Sequence, residues 1–395
     1  MQKLGLAAGA LALALWAGSA HADPVKIGFI STFSGPAAFA GDYAQKGVDL
    51  FLAQNPDAFG GHEIEIIKRD DTGPNPEVAR RLAQELIVQD GVDVIMGLQF
   101  SPNAFSVLEL ANEAEIPVVV HNAATSSITK ASPYVVRLSR TLWGASYPLG
   151  KYAAEKAGAK TAVVMYSDYA PGKDSWQAFD RGFTEAGGKI LDVIPLPFPQ
   201  TPDFTPFLQR VKNADPDVVF AFLPSGKYST AFVKTYDSLG LKSVARLIGP
   251  GDIAPPSEFE LMGDGIEGAL IVFHYSAALD NPQNKAFLAA WKKAYPDVAP
   301  DAFAVQAYDS MAAIAEAVRK TGGDFDGQSF VDALKGWTFA SARGPIEIDP
   351  ETRDIVQNQY VMEVVRGDDG KLHEKVIDTI PDVGDPWKDL GLDKK

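Results

Sequence analysis

The chain has 395 residues and no cysteine, and its 36 Lys and Arg against 51 Asp and Glu leave a formal charge of −15. A surface this acidic repels nucleic acid and anionic lipid. Without cysteine there is no disulfide framework, no thiolate catalysis and no Cys-based metal site, so an ordinary apolar core must hold the fold together.

The N-terminus is read first. Lys3 supplies one positive charge, Leu4 to Trp16 is apolar and small, and Ala20-His21-Ala22 precedes Asp23-Pro24. Small residues at Ala20 and Ala22 give the close backbone approach that a signal peptidase needs, so residues 1–22 read as a cleaved signal peptide and the protein as periplasmic. The apolar run is too short to span a hydrocarbon core of ~30 Å, and no later stretch is long and apolar enough to enter a bilayer. The remaining chain is long enough for two domains.

From Val25 onward, short β-rich runs alternate with amphipathic helical segments, the pattern of an α/β fold with a mostly parallel sheet. Val25–Ser31 predicts a strand, and a helix over 41–54 follows with Val48, Phe51 and Leu52 on one face. Ile64–Lys68 predicts the next strand; Asn75-Pro76-Glu77 then reads as an N-cap with proline at the first helical position. Val92–Met96 and Ile116–Val120 add two strands, with a helix between them starting near Pro102. The pattern restarts after Tyr147: strands at 161–166, 189–194, 217–223 and 245–248, separated by helices near 174–187, 203–214 and 227–239. A further strand at 269–275, two long helices at 282–295 and 302–320, and β-like runs at 345–348, 359–365 and 375–380 complete the chain. No Pro- or Ser-rich linker separates the halves, which predicts two intimately connected lobes.

Enzyme motifs are absent: there is no G-x-S-x-G elbow, P-loop, G-x-G-x-x-G or H-E-x-x-H. No enzyme activity, cofactor or metal is expected. His62, His121, His274 and His373 are scattered, and none stands at metal-ligand spacing from another. His121 and His274 fall at strand ends, where ligands of open parallel sheets sit. Asp70-Asp71 reads as a turn or capping pair.

Taken in order, the strand-end loops resemble those of the leucine/isoleucine/valine-binding family, the type I periplasmic solute-binding proteins. The resemblance is carried by Ile27–Pro36 with Gly41, Arg69–Thr72 with Asn75-Pro76, Ile95–Ser101, Asn122–Ser127, Asp168–Gly172 and Gly249–Gly251. Asp280–Pro282, Gln306–Asp309, Arg343–Pro345 with Asp349-Pro350, and Gln357–Tyr360 resemble the branch serving ABC importers of aromatic acids, such as lignin-derived benzoates and hydroxycinnamates. The resemblance implies two Rossmann-like lobes joined by a three-crossover hinge that closes on the ligand. Crossovers fall near Leu142, Tyr275 and Arg343. The lobes would comprise 24–142 plus 276–342, and 143–275 plus 343–391. It implies a monomer that delivers its ligand to an inner-membrane ABC permease.

Ligand capture needs a site for an anionic head and walls for an apolar body. Residues 122–129 present Thr125, Ser126 and Ser127 before a short helical turn, where free backbone N–H groups and hydroxyls can hold a carboxylate without a buried cation. In the family, residues matching Ala124 and Thr125 contact the ligand's charged groups, with Ala123 and Ser126 the alternatives if the alignment slips by one. Gln99, Phe100 and Ser101 follow a strand, Phe100 offering a flat wall or serving as lobe core. Trp143 at the first crossover and Tyr169 in the second lobe are aromatic candidates, and Phe39, Asn122, Ser225 and His274 complete the expected pocket. Family members that bind α-amino acids carry an acid where this chain has Gly251, because a desolvated ammonium needs a paired carboxylate. Asp252 restores that acid if the loop slips by one residue. The sequence reading therefore favours a small aromatic carboxylate and keeps a branched-chain amino acid as the alternative. A nucleotide-dependent enzyme and a chemosensory domain lack their phosphate loops and their membrane helix, respectively.

Overall fold

A computed structural model describes residues 23–200, 203–387 and 390–392; the signal peptide expected at 1–22 lies outside them. The first sheet has five parallel strands, β1 (Val25–Ser31), β2 (Ile64–Asp70), β3 (Val94–Gly97), β4 (Val118–Val120) and β5 (Val135–Arg137), in the order β2-β1-β3-β4-β5. Alternation along β1 sets its two faces. Ile27 and Phe29 pack with Val48 and Phe51 of helix 38–54 and with Met311 and Val318 of helix 302–321. Ile30, on the opposite face, meets Leu82 and Val107 of helices 76–85 and 101–114. Each such fully buried side chain contributes ~1.5–3 kcal/mol relative to exposure.

The second sheet begins with parallel strands β6 (Thr161–Ser167), β7 (Lys189–Leu196), β8 (Val218–Phe222), β9 (Arg246–Pro250) and β10 (Leu270–Phe273), in the order β7-β6-β8-β9-β10. Four antiparallel strands extend it: β11 (Thr338–Ser341), β12 (Gly344–Ile348), β13 (Ile355–Arg366) and β14 (Leu372–Val383). β8 divides its residues cleanly. Val219 and Ala221 face Phe232 and Ile271, whereas Phe220 and Phe222 face Phe179 and Leu149. The chain passes from the first sheet to the second between β5 and β6. It returns after β10 to place helices 282–294, 302–321 and 327–334, and it rejoins the second sheet at β11. Ile346 and Ile348 of β12 pack into the core of the first sheet, so one face of this last passage is apolar and buried, while Pro345 and Glu347 are exposed.

The predicted strands match observed ones, with ends shifted by a few residues. Five elements escaped the sequence reading: β5, β11, the short helix Phe259–Met262, the 327–334 helix, and the helix Leu142–Glu155. That last helix carries Gly144, Pro148 and Gly150, which break an amphipathic pattern. Here the glycines serve packing. A Cβ on Gly150 would lie 2.5 Å from the Phe179 carbonyl oxygen, and one on Gly182 would lie 2.1 Å from that of Tyr147. Helices 142–155 and 170–185 therefore touch backbone to backbone. Thr141 caps the first of them, accepting from the Gly144 N–H at 2.9 Å.

Candidate functional site

The carboxyl ends of the parallel strands of both sheets converge on one cleft, as open parallel sheets dictate. It encloses about 440 Å³, counting the part open to solvent, and is lined by residues of both sheets.

The first-sheet wall is built by the loops after β3 and β4. The Asn122 side-chain amide donates to the Gln99 carbonyl at 2.9 Å, and the Ala123 N–H to the Leu98 carbonyl at 3.0 Å, which ties the two loops together. Ser101, at the first position of helix 101–114, accepts at Oγ from the Ala124 and Thr125 N–H groups, each at 3.2 Å. Its own hydroxyl proton is left to donate. Both N–H groups are met by Ser101 Oγ, so the donor this wall offers a ligand is the Ser101 hydroxyl proton, which suits a carboxylate oxygen.

The opposite wall is aromatic. Tyr169, after β6, stacks on Phe198 with ring centroids 4.2 Å apart and on Phe222 at 6.2 Å. Phe198 also approaches Phe100 of the other wall, at 6.4 Å. Phe39 lines the cleft from the start of helix 38–54 and meets Phe303 edge-on at 5.5 Å. Phe100 therefore faces the cleft, although at 4% exposure it is as buried as a core residue. Ser225, after β8, donates its hydroxyl to the Asp252 carbonyl at 2.9 Å and shapes the floor.

Of the residues expected from sequence, Phe39, Gln99, Phe100, Ser101, Asn122, Ala124, Tyr169, Ser225 and Asp252 come together along the cleft. Ala123, Thr125, Trp143, Gly251 and His274 stand behind that lining. The Ala123 carbonyl accepts from Ser139 at 3.0 Å. Thr125 supports the lining through its N–H group, which donates to Ser101 Oγ. Trp143, in the first turn of its helix and 4% exposed, lies beside Asp174. His274 is fully buried, and both ring nitrogens lack a hydrogen-bond partner among the described residues. Burial, with Arg343 and Arg140 nearby, pushes its pKa well below the usual range, so the ring is neutral. Asp71 is buried and bonded to Thr32 and Asn103, stapling loops away from the cleft.

Gly251 is glycine because Phe273 fills the space a side chain would need: a Cβ there would lie 2.3 Å from the ring. The acid of this loop is Asp252, and it is already paired. Arg140, 2% exposed, donates through Nη2 to Asp252 Oδ1, and through Nη1 to the Asn122 carbonyl at 3.2 Å and its side-chain oxygen at 3.1 Å. This corrects the expectation of a site without a buried cation. Arg140 went unnoticed because β5 did, and Arg137-Leu138-Ser139-Arg140 reads as a solvated loop until β5 buries both arginines. Leu142, Pro171, Phe222, Pro224 and Phe303 also line the cleft; as isolated apolar residues in loops and helix starts they carry no sequence signal of ligand contact.

Residues 24–371 match the family model described as periplasmic binding protein. The chain belongs to that family. Among curated relatives, this binding protein is 41% identical to Leu/Ile/Val-binding protein homolog 6 of Brucella melitensis, over 98% of its own length and 99% of the relative's. Its fold superposes on the solute-binding protein of an ABC transporter from Rhodopseudomonas palustris BisB5, in complex with 3,4-dihydroxybenzoic acid, with TM-score 0.88 at 42% identity. That match covers 93% of this chain and 100% of the other. A second R. palustris ABC-transporter solute-binding protein, in complex with 4-hydroxybenzoate, gives TM-score 0.89 at 41% identity, covering 94% and 100%. The α/β architecture with mostly parallel sheets is that of type I periplasmic binding proteins, as the strand-end loops implied.

Proposed function

We propose that this protein is the periplasmic substrate-binding component of an ABC importer, that it captures a small aromatic carboxylate between two lobes by hinge closure, and that it catalyses no reaction. The observation that carries the reading is the pairing, in one cleft, of the Ser101 hydroxyl with the rings of Phe39, Phe100, Tyr169 and Phe222, Tyr169 being backed by Phe198. Offset ring contacts add ~0.5–1.5 kcal/mol each beyond burial, which favours a flat ligand. The aromatic acids bound by the R. palustris proteins support the same chemistry. The lobes are taken as 24–142 plus 276–342 and 143–275 plus 343–391, the protein as a monomer, and its partner as an inner-membrane permease. No described helix is long and apolar enough to cross a membrane.

The alternative, a branched-chain amino acid, is disfavoured by Asp252. Its charge is neutralised by Arg140, and a ligand ammonium would have to displace or share a guanidinium already in place. A thermal-shift panel of benzoates, cinnamates, dicarboxylates and amino acids, on protein unfolded and refolded to strip carried ligand, tests the reading. Saturation at one hundred times Kd adds ~2.7 kcal/mol. The proposal requires aromatic acids to raise the midpoint; a rise with leucine or valine alone overturns it.

A further inference from the structure

With the lobes divided as above, three carboxylates of the second lobe meet the 125–129 loop of the first. Asp354 Oδ1 accepts from Arg137 Nε at 2.6 Å, and Asp385 Oδ2 lies 4.0 Å from Arg137 Nη2. Asp354 Oδ2 accepts from the Thr129 hydroxyl at 3.0 Å, and Asp174 Oδ2 from the Ser126 N–H at 2.9 Å. Arg137 is fully buried, and each of the three acids is at least nine-tenths buried. The Ser126–Asp174 bond bridges the two walls of the cleft. Ser126 follows Asn122 and Ala124 of one wall, and Asp174 follows Tyr169 and Pro171 of the other.

Charge decides what such a cluster can hold. Arg137 faces Asp354 and Asp385, and the half-buried Arg353 adds a second cation beside Asp354. One anion is still left over. Asp174 is that one, since among the described residues it forms no ion pair, and an unpaired buried carboxylate takes up a proton rather than stay charged. Burial pushes it up to about 7. Asp385 of the C-terminal segment repels it, while Arg137 of β5, the Ser126 N–H and a hydrogen bond from Trp143 of helix 142–155 oppose the rise. A neutral carboxyl still accepts from Ser126 through its carbonyl oxygen. The buried rings of His121 and His274 are neutral and take no part. Asp301 and Glu374 are raised into the same range, and a variant at Asp174 tells their protons from its own.

We propose that Asp174 is a proton-binding latch between the lobes, taking up a proton as the cleft closes on ligand and releasing it when the lobes part and water reaches the carboxyl. It lies outside the cleft lining and acts as a positioning residue, through the loop whose Ala124 and Thr125 N–H groups hold Ser101 Oγ. The inference rests on the hinge-closure reading above and adds a dependence of capture on pH. A group that binds its proton more tightly in the closed form favours that form at low pH, so affinity falls as pH rises.

The experiment is isothermal titration of ligand-stripped protein with benzoate and 4-hydroxybenzoate from pH 5.5 to 8, in pairs of buffers that differ in ionisation enthalpy. The carboxyl of both acids stays ionised across this range. Uptake of up to about one proton per ligand near pH 6, and a fall in affinity of about ten-fold from pH 5.5 to 8, are expected. Asp174→Asn keeps an acceptor for Ser126 and cannot titrate; it is expected to abolish the uptake and level the affinity. Binding without proton uptake by the unaltered protein overturns the inference, and so does uptake undiminished in folded Asp174→Asn protein. Should that variant not fold, Trp143→Phe removes one hydrogen bond from the carboxyl and is expected to move the profile to higher pH; an unmoved profile overturns the assignment. Small-angle scattering of the same samples separates the two levels. Compaction on binding without proton uptake sinks the latch alone, whereas binding without compaction sinks the closure reading beneath it.

Discussion

The backbone N–H of Ser126 donates to Asp174 Oδ2 at 2.9 Å, joining the loop after β4 of the first sheet to the first turns of helix 170–185 beside the second. Arg137 holds the same loop from behind, donating from Nη1 to the Thr125 carbonyl at 2.5 Å and from Nε to Asp354 Oδ1 at 2.6 Å. The loop whose Ala124 and Thr125 N–H groups hold Ser101 Oγ is thus positioned by both halves of the molecule at once.

This arrangement makes stability depend on pH. Burial pushes the Asp174 carboxyl up to about 7, with Asp385 adding repulsion and Ser126, Arg137 and Trp143 opposing it. Burial likewise raises Asp354 to about 6, against the pull of Arg137, and Asp301, the cap of helix 302–321, to about 7. Their unfolded values lie near 4, so between there and 7 the native state binds more protons than the unfolded state. By linkage these three groups make stability fall as pH rises through that window. The unliganded protein is expected to melt at a higher temperature at pH 5.5 than at pH 8, and Asp174→Asn is expected to flatten the dependence. Calorimetry across this range checks it, and a midpoint rising steadily from 5.5 to 8 would contradict it.

Gly251→Ala places a methyl against the Phe273 ring, with no open space to receive it. Overpacking of this kind costs about 1–3 kcal/mol. At roughly 2–4 °C per kcal/mol the melting midpoint should drop by several degrees, measurable by differential scanning fluorimetry; an unchanged midpoint would show that Phe273 moves aside freely.

Thr125→Val separates a ligand role from a structural one. Thr125 Oγ1 is buried with no partner among the described residues, so an apolar group of the same shape should leave the unliganded melting point unchanged or slightly higher. Aromatic-acid affinity should stay unchanged, because the side chain stands behind the cleft lining. A clear fall would give the Thr125 hydroxyl a part in binding.

Tyr169→Ala removes the ring stacked on Phe198 and Phe222. Affinity for the aromatic acid should fall about ten-fold or more, given ~0.5–1.5 kcal/mol per ring contact in addition to lost burial. Trp143→Phe, by contrast, should alter stability more than affinity, because Trp143 lies behind the lining beside Asp174. Titration of both variants settles the contrast.

Arg343→Met breaks a buried pair: Arg343 Nε donates to Asp309 Oδ2 at 2.8 Å and Nη1 to Gln357 Oε1 at 2.9 Å, with both charged side chains at most 1% exposed. Removing one partner leaves an uncompensated charge and costs about 3–5 kcal/mol. Urea unfolding should show the loss. A cost under 1 kcal/mol would mean that Asp309 simply takes up a proton, a route that burial favours by raising its pKa.

Much of this molecule is legible in its sequence. The β-branched runs at 25–31, 161–167 and 218–222 are buried strands, and their period needs no tertiary information to be seen. The loops that follow the strands were identifiable as the site because a parallel sheet delivers its carboxyl ends to one edge. Helix 142–155 was not legible, since Gly150 and Pro148 weaken local helical preference and are accommodated only by contact with helix 170–185.

The sequence by itself determined the α/β class and the succession of most strands and helices, because these follow from local periodicity; the residues it offered for the cleft rested on the strand-end loops and on the family resemblance. It did not determine the charge of the site. Whether Asp252 is a free carboxylate or half of an ion pair depends on Arg140, 112 residues earlier. Only the folded chain desolvates the two together. Gly251 likewise acquires its meaning from Phe273, and Ser101 from Ala124 and Thr125. Local pattern records which residues can be buried; which buried groups neutralise one another, and which are left for a ligand, is decided where strands distant in sequence end side by side.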